Sequence, residues 1–283
     1  MFDALDQPRR RTRKTHHRLT TSDGVEIDAM LLRRAEPRTT AVVLANGFTG
    51  SHRNPHTRAI AEAMLPLGDV LTFDFRGHHR SGGLSTVGNA EIHDLEAAVR
   101  HLRRLGHTSV AVVGFSMGAA VAVRHAAIFG GVEAVVAVSG PSRWYYQGTR
   151  RMRMLHLGIG RSFGRFFLRA FRKVRVIDQD WDPRPAEPRE IAGDIAPTPL
   201  LVVHGEADDY FPTWHATDVH DAAQEPRELW IVPGMGHAER AVGPDLTVRI
   251  RAWLADHLAH RVEKNQDDTD TSTGHQDSVR KRG

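Results

Sequence analysis

The chain of 283 residues contains no cysteine, and this excludes disulfide bonds, thiolate metal sites and a cysteine nucleophile. It also has no apolar run that approaches the roughly 18 residues needed to cross a membrane, so the sequence predicts a soluble protein. The basic stretch at residues 1–19 is not followed by the apolar segment of a secretory signal. A cytoplasmic location is therefore expected.

Acidic residues are absent between Glu133 and Asp178, whereas charges of both signs are interspersed over most of the chain. The net charge is +4, and arginine supplies nearly all of the positive charge. A basic balance is one feature of nucleic-acid-binding proteins, but the interspersed charges do not favour that function here. No nucleic-acid partner is expected.

Apolar runs and helical periods alternate along most of the sequence. Apolar or β-branched runs predict buried strands at residues 40–45, 70–73, 110–113 and 199–203. Mainly apolar runs that include charged residues predict further strands at 132–138 and 227–232. Periodic apolar positions predict helices at residues 55–65, 89–105, 213–223 and 244–260, with Asn89 as the N-cap of the second. A hairpin is predicted around Ser22-Asp23-Gly24. This alternation is typical of an α/β fold with a mostly parallel central sheet and helices on both faces.

Three segments fall outside this alternation. Residues 1–15 are expected to form a disordered basic arm, and residues 263–283 a disordered tail because they lack apolar side chains that could pack. Residues 142–197 show no strand pattern and contain clustered prolines and arginines. We therefore expect a core made of residues 16–141 and 198–262, interrupted by an insertion at residues 142–197.

A serine lies at the sharpest predicted turn of the chain, Gly114-Phe115-Ser116-Met117-Gly118. The strand before it and the small residues after it predict a strand, a tight turn and a helix, which is the pattern of a nucleophile elbow. Side chains in place of the two glycines would crowd the neighbouring backbone. The helix N-terminus behind Ser116 would supply N–H groups and a positive dipole end where an oxyanion forms.

A serine nucleophile needs a base, and the base needs an acid that orients it. Asp208 and Asp209 follow the predicted strand at residues 199–203, and either could be that acid. His237 follows the last predicted strand, on a loop that contains two glycines. Strand ends at the carboxyl edge of an α/β sheet are the usual place for a site.

Five motifs in order along the chain resemble those of the α/β-hydrolases of the serine esterase, lipase and lysophospholipase type. They are Asn46-Gly47-Phe48-Thr49-Gly50, Asp74-Phe75-Arg76-Gly77-His78, Gly114-Phe115-Ser116-Met117-Gly118, His204-Gly205-Glu206-Ala207-Asp208 and Gly236-His237. The resemblance covers roughly residues 17–140 and 197–260. It implies the α/β-hydrolase fold, in which the insertion at residues 142–197 is a helical cap over the active site.

The resemblance also implies a catalytic triad of Ser116, Asp208 and His237, and so selects Asp208 over Asp209. It implies an oxyanion hole made by the backbone N–H groups of Phe48 and Met117. Two positions depart from the family pattern. Asn46 stands where the family usually has histidine, and His79 where it has glycine. These departures concern the support and conformation of two loops rather than the chemistry.

The expected activity is hydrolysis of a carboxylic ester of a small or lipid-like molecule without a cofactor. The same residues would also serve a thioesterase, lactonase, peptidase or acyltransferase. A non-catalytic hydrolase-like binding protein is a further alternative, which the complete set of triad residues disfavours. Dehalogenase and epoxide hydrolase activities are disfavoured because these relatives use aspartate where this chain has Ser116.

The insertion contains a predicted basic amphipathic helix. At about 100° per residue, Arg161, Arg165, Arg169 and Arg172 fall on one face and Phe163, Phe166, Phe167 and Phe171 on the other. In the simpler interpretation the phenylalanines pack on the core and the arginines are solvated. In the alternative, Phe163 and Phe167 bind an acyl chain or touch a membrane or micelle, while Arg161 and Arg165 attract anionic groups.

Two other patterns invite a ligand-binding interpretation that the sequence does not support. The pairs His16-His17 and His78-His79 lack the spacing of a metal site, so we interpret them as solvated residues and expect no metal. Residues 158–164 resemble a dinucleotide fingerprint, but the final spacing is too long and no strand precedes it.

Overall fold

A computed structural model describes residues 12–259, in which eight strands form one sheet. The strands are β1 (Arg13–Thr20), β2 (Glu26–Arg33), β3 (Thr40–Ala45), β4 (Asp69–Phe73), β5 (Ser109–Phe115), β6 (Ala134–Val138), β7 (Leu200–Gly205) and β8 (Arg227–Val232). Their order across the sheet is β1-β2-β4-β3-β5-β6-β7-β8. The β1–β2 and β2–β4 pairs are antiparallel and the rest are parallel. The predicted hairpin and the mostly parallel sheet are both present.

Helices cover both faces of the sheet. They are α1 (Pro55–Met64), α2 (Glu91–Arg104), α3 (Met117–Phe129), α4 (Arg150–Gly160), α5 (Ser162–Phe167), α6 (Pro188–Ile191), α7 (Trp214–Ala222) and α8 (residues 244–259). Buried residues of α2, α3 and α7 pack on one face with Ala41 and Val43 of β3. Those of α1 and α8 pack on the other face with Val42 and Leu44. Successive β3 side chains thus enter opposite cores, which is why the strand is apolar throughout. No described helix is long and apolar enough to cross a membrane.

The insertion, residues 142–197, contains α4, α5 and α6 and no named strand. A turn of π-helix, Leu168–Arg172, continues α5. Leu168 packs with Val174 and Val176 in a small core, and Phe48 and Val87 from outside the insertion pack against it, so this segment is anchored to the rest of the molecule. The α4 and α5 helices approach closely at Gly158 and Gly164.

The structure corrects several predicted boundaries. Strand β1 begins at Arg13, so residues 13–15 are not part of a disordered arm; residues 1–11 and 260–283 lie outside the described residues. Asn89 is not the N-cap of α2, whose cap position is Ala90 without a side-chain hydrogen bond. The preceding loop is held instead by the Glu91 carboxylate, which accepts hydrogen bonds from the Thr86 and Gly88 amides.

Candidate active site

Ser116 lies between β5 and α3. Its φ of 52° is in the region that residues other than glycine rarely adopt. A Cβ at Gly114 would collide with the Gly118 carbonyl, and one at Gly118 would collide with the carbonyl of Ala45 on β3. Both glycines are therefore required by the close approach of the elbow to its neighbours. The turn leaves Ser116 partly exposed at the carboxyl edge of the sheet.

A chain of hydrogen bonds joins three side chains that are distant in sequence. His237 Nε2 lies 2.9 Å from Ser116 Oγ, and His237 Nδ1 lies 2.7 Å from Asp208 Oδ2. If the Nδ1 proton is donated to Asp208, Nε2 is free to accept the serine hydroxyl proton. The side chain of Asp208 is fully buried and that of His237 is 16% exposed. The structure therefore brings together the side chains of the three residues that the sequence predicted.

The Asp208 carboxylate is held by more than the histidine. Its Oδ1 accepts hydrogen bonds from the backbone amides of Tyr210 and Phe211, at 2.8 and 3.0 Å. Burial alone raises the pKa of Asp208, but the hydrogen bond and charge of His237 together with these amides outweigh burial. The pKa of Asp208 consequently lies below its ordinary value, and the group stays ionised beside the imidazole.

Asp209 has a different environment from Asp208. Its carboxylate is exposed and accepts a hydrogen bond from Arg151 Nε at 2.8 Å, with no bond to His237. Arg151 also lies over the Tyr210 ring, which in turn stacks on the His237 ring at 4.3 Å between centroids. No sequence pattern indicates this aromatic contact, because it depends on how the loop after β7 folds back.

The loop after β3 packs directly against Ser116. A Cβ at Gly47 would lie 3.2 Å from Ser116 Cβ, so the loop carrying Phe48 is adjacent to the elbow. The structure gives neither the Phe48 nor the Met117 N–H a hydrogen-bond partner among the described residues. Two unused amides next to the serine are what an oxyanion hole requires.

The side chains of Asn46 and His78 hold this loop in place through hydrogen bonds. Asn46 is buried; it donates to the Phe73 carbonyl at 2.9 Å and accepts from Thr57 Oγ1 at 2.8 Å. His78 accepts from the Thr49 amide through Nε2 and pairs with the Arg76 carbonyl through Nδ1. The expectation that His78 is a solvated residue is therefore wrong: it is 1% exposed, and burial lowers its pKa.

The neighbouring His79 departs from the family pattern, but its backbone keeps the conformation that glycine favours. Its φ is 44°, within the left-handed region. His79 is partly buried, and its amide donates to the Lys173 carbonyl at 2.8 Å. His79 thus adopts a backbone conformation that glycine also adopts, and its loop is tied to the insertion.

Two cavities meet at Ser116, and the insertion lines both. One, of about 150 Å³, is mainly apolar; its walls include Phe48, Val87, Trp144, Met152, Leu155, Ile159, Val176, Trp181 and Phe211. The other, of about 550 Å³, also contains His237 and several charged groups, Arg151, Arg172, Asp209, Glu239 and Arg240. The site can therefore receive an apolar group on one side of the serine and a more polar group on the other.

The predicted substrate contacts of the insertion are only partly present. Phe167 lines the larger cavity. Arg161, Arg165 and Phe163 line neither of these two cavities. Arg165 instead pairs with Asp178 and donates to the Ile159 carbonyl, so its charge is used within the insertion.

A second serine, histidine and aspartate cluster lies at the start of the insertion. Ser142 Oγ is 2.9 Å from His215 Nδ1 and 3.0 Å from Asp218 Oδ2. Here the carboxylate contacts the serine rather than the histidine, and Ser142 and His215 are fully buried. This cluster lacks both the order of contacts and the access that nucleophilic catalysis needs.

One group of side chains has atoms close enough to hold a metal ion. These atoms belong to His16, Asp28 and His52 and lie within 4.8 Å of one another. The Arg53 guanidinium also binds Asp28 and Asp74, so a cation already balances the two buried carboxylates. A structural network fits this cluster better than a metal site does.

Comparisons with known proteins agree with this architecture. A model of the alpha/beta hydrolase family matches residues 42–248. The Pyrococcus furiosus esterase superposes with a TM-score of 0.70 at 25% identity, covering 87% of this chain and 94% of the esterase. An alpha/beta hydrolase from Penicillium sp. superposes with a TM-score of 0.72 at 21% identity, covering 87% of this chain and 99% of that one.

The esterase domain of a Rhodothermus marinus protein superposes with a TM-score of 0.61 at 20% identity, covering 86% of this chain and 97% of that domain. No match was found among curated protein sequences. The family match spans most of the sequence, and the sheet, the elbow and the order of the motifs agree with it. The chain belongs to the alpha/beta hydrolase family.

Proposed function

We propose that this hydrolase cleaves a carboxylic ester with an apolar acyl group through a covalent acyl-enzyme intermediate. The observation that carries the proposal is the continuous path from Ser116 Oγ through His237 to Asp208, with distances of 2.9 and 2.7 Å. Other carbonyl substrates could use the same path. The similarity to esterases favours an oxygen ester.

In the proposed reaction, Ser116 Oγ attacks the ester carbonyl carbon while His237 Nε2 takes the hydroxyl proton. The Phe48 and Met117 amides stabilise the negative charge on the carbonyl oxygen, and Asp208 stabilises the imidazolium. Collapse of the tetrahedral intermediate breaks the ester C–O bond, and His237 returns the proton to the departing alcohol. A water molecule, activated by His237, then attacks the acyl-enzyme, and the carboxylic acid leaves with Ser116 restored.

The two cavities suggest how the substrate is placed. The small cavity is lined mainly by apolar side chains, so we assign the acyl group to it. The larger cavity carries charged groups and leads past Phe167, so we assign the alcohol to it. Esters with an acyl chain somewhat longer than acetyl should therefore be better substrates than the acetate ester, because burial of each additional methylene is favourable until the cavity is full.

The test is hydrolysis of p-nitrophenyl acetate, butyrate, octanoate and dodecanoate by wild type, Ser116→Ala and Ser142→Ala. We expect Ser116→Ala to lose at least about 1,000-fold in kcat/KM on every ester. Ser142→Ala is the matched control, because Ser142 also contacts a histidine but is fully buried, and it should retain activity. Activity that survives in Ser116→Ala, or is lost equally in both variants, would contradict the proposal.

A further inference from the structure

The insertion presents an unusual number of apolar side chains to solvent. Six of them belong to residues 154–171 and are defined here as the apolar surface of the insertion: Met154, Leu157, Phe163, Phe166, Phe167 and Phe171. Phe163 is 79% exposed and Phe171 69% exposed, and even Phe167, at the cavity, is 49% exposed. The interpretation in which these phenylalanines pack on the core is therefore wrong.

This exposure does not come from a loosely held segment. Leu168, between Phe167 and Phe171, is buried with Val174 and Val176, and Ile159 of α4 packs against the same small core. The Arg165 side chain is tied to Asp178 and to a backbone carbonyl. The helices are thus fixed with their phenylalanines exposed. An exposed apolar surface of this size is typical of a region that contacts another molecule or a membrane.

Several cations of the same stretch of the insertion have no partner among residues 12–259. The side chains of Arg150, Arg161, Arg169 and Lys173 are exposed and make no hydrogen bond or ion pair within the described part of the chain. The sequence has no acidic residue between Glu133 and Asp178 that could balance them locally. This surface therefore combines exposed aromatic rings with uncompensated positive charge.

That combination fits an anionic lipid surface better than a second copy of the chain. In a twofold dimer through this surface, the same cations would face one another, which is unfavourable. A bilayer with anionic head groups offers negative charge at its surface and an apolar layer beneath, where aromatic side chains can insert. Charge complementarity thus selects the lipid surface.

The apolar surface also adjoins the entrance to the catalytic serine. Phe167, Leu168 and Arg172 line the same cavity as Ser116 and His237. The rings of Phe167 and Phe171 lie 4.6 Å apart, so the cavity wall continues into the exposed surface. A lipid layer covering Phe171 would therefore lie next to the cavity mouth.

We propose that the insertion docks on membranes containing anionic phospholipid, through its phenylalanines and unpaired cations, and thereby presents the active site to esters held in the lipid layer. Docking does not depend on the proposed function. Only the statement that the substrate is an ester held in the lipid layer rests on the proposed function. Binding is therefore measured on the full-length Ser116→Ala protein, so that hydrolysis plays no part in the result.

The test is flotation of this protein with vesicles of phosphatidylcholine alone and of phosphatidylcholine mixed with phosphatidylglycerol. We expect binding to the mixed vesicles and at least about tenfold weaker binding to the neutral ones. Combined replacement of Phe163, Phe166 and Phe171 by serine should lower the partition coefficient at least tenfold, because it removes the inserted rings. Replacement of Phe129 by serine is the control, since this phenylalanine is also exposed but lies on α3.

The charge contribution is tested by replacing Arg150, Arg161 and Arg169 together with glutamine. Each cation near an anionic bilayer adds about fivefold to binding, so the triple variant should lose on the order of 100-fold on mixed vesicles. The matched control replaces Arg58, Arg100 and Arg104, which are exposed outside the insertion and should change binding far less. Equal loss in both triple variants would show a general charge effect and overturn the proposal.

Two further outcomes would also overturn it. Vesicles that fail to bind the folded protein would exclude a lipid partner. A protein that sediments as a dimer and does not bind vesicles, and whose dimer dissociates when Phe163, Phe166 and Phe171 are replaced by serine, would assign the surface to a second copy of the chain. Neither outcome would affect the proposed function, which is measured on soluble esters. Conversely, vesicle binding by a wild-type protein inactive on every ester would retain the docking and reject the function.

Discussion

Asp208 and Asp209 are adjacent in sequence, yet their carboxylates differ in every property that matters for catalysis. Asp208 is buried, accepts two backbone amides and lies 2.7 Å from His237 Nδ1, whereas Asp209 is exposed and pairs with Arg151. Residue types left both open as the acid, and the family resemblance selected Asp208. The geometry brings Asp208, and not Asp209, to the histidine.

At the residue scale, replacing Asp208 by asparagine should separate these two carboxylates functionally. The amide cannot stabilise the imidazolium and favours the wrong histidine tautomer, so kcat should fall by about 10⁴-fold. Asp209→Asn removes one exposed ion pair and should stay within about threefold of wild type. Steady-state kinetics on one soluble ester, with circular dichroism as the folding control, measures both. Equal losses would contradict this assignment.

At the scale of elements, the insertion shows where sequence reasoning is limited. The helical period predicted that Phe163, Phe166, Phe167 and Phe171 share one face, but a period cannot tell whether that face is covered; all four are exposed. It also predicted one continuous helix, whereas α5 ends at Phe167 and a turn of π-helix follows. Whether a helix face is buried depends on which residues distant in sequence pack against it, and a local sequence pattern does not indicate those residues.

The contact between α4 and α5 gives an element-scale prediction. A Cβ at Gly164 would collide with the Gly158 carbonyl, so Gly164→Ala should push the helices apart and disturb the cavity walls that α4 supplies. Gly160→Ala is the matched control, since a Cβ there meets nothing within 4 Å. We expect Gly164→Ala to lose about tenfold or more in kcat/KM on octanoate and less on acetate, because short acyl groups use fewer of these walls. Identical kinetics of the two variants would refute this role of Gly164.

At the scale of the molecule, the sheet and the positions of Ser116, Asp208 and His237 at its carboxyl edge were largely predictable from sequence. Buried parallel strands are apolar on both faces and are bounded by turn residues, and the site residues follow directly after three of them. The less predictable features were the roles of buried histidines such as His78 and His215. Their hydrogen bonds join segments far apart in the chain, so nothing in the adjacent sequence indicates them.

Buried neutral histidine should also make the whole molecule sensitive to acid. Burial lowers the pKa of His215 to about 3, and its Nδ1 accepts the Ser142 amide, which requires an unprotonated nitrogen. Between the ordinary pKa of 6.5 and about 3, the unfolded chain binds a proton that the folded chain does not. Stability from this group is therefore complete above the ordinary value and is lost as the pH falls.

His215→Asn keeps an acceptor for the Ser142 amide but cannot be protonated. Between about pH 7 and pH 5, His215 should account for about 2 kcal/mol of the acid-induced loss of stability. The fall in Tm over this range should therefore be smaller in the variant by roughly 4–8 °C. His56→Asn, at an exposed histidine, is the control and should follow wild type. The measurement is thermal unfolding of all three proteins at pH 7 and pH 5. The same fall in Tm in His215→Asn as in wild type would contradict this role of His215.

The central claim, that Ser116 is a nucleophile activated by His237, is tested most directly by covalent labelling. A fluorophosphonate probe reacts with an activated serine, and peptide mass mapping locates the label. We predict one label, on Ser116, that is retained in Ser142→Ala and almost abolished in His237→Ala. A folded wild-type protein that takes no label, or a Ser116 label that is unchanged in His237→Ala, would contradict the claim.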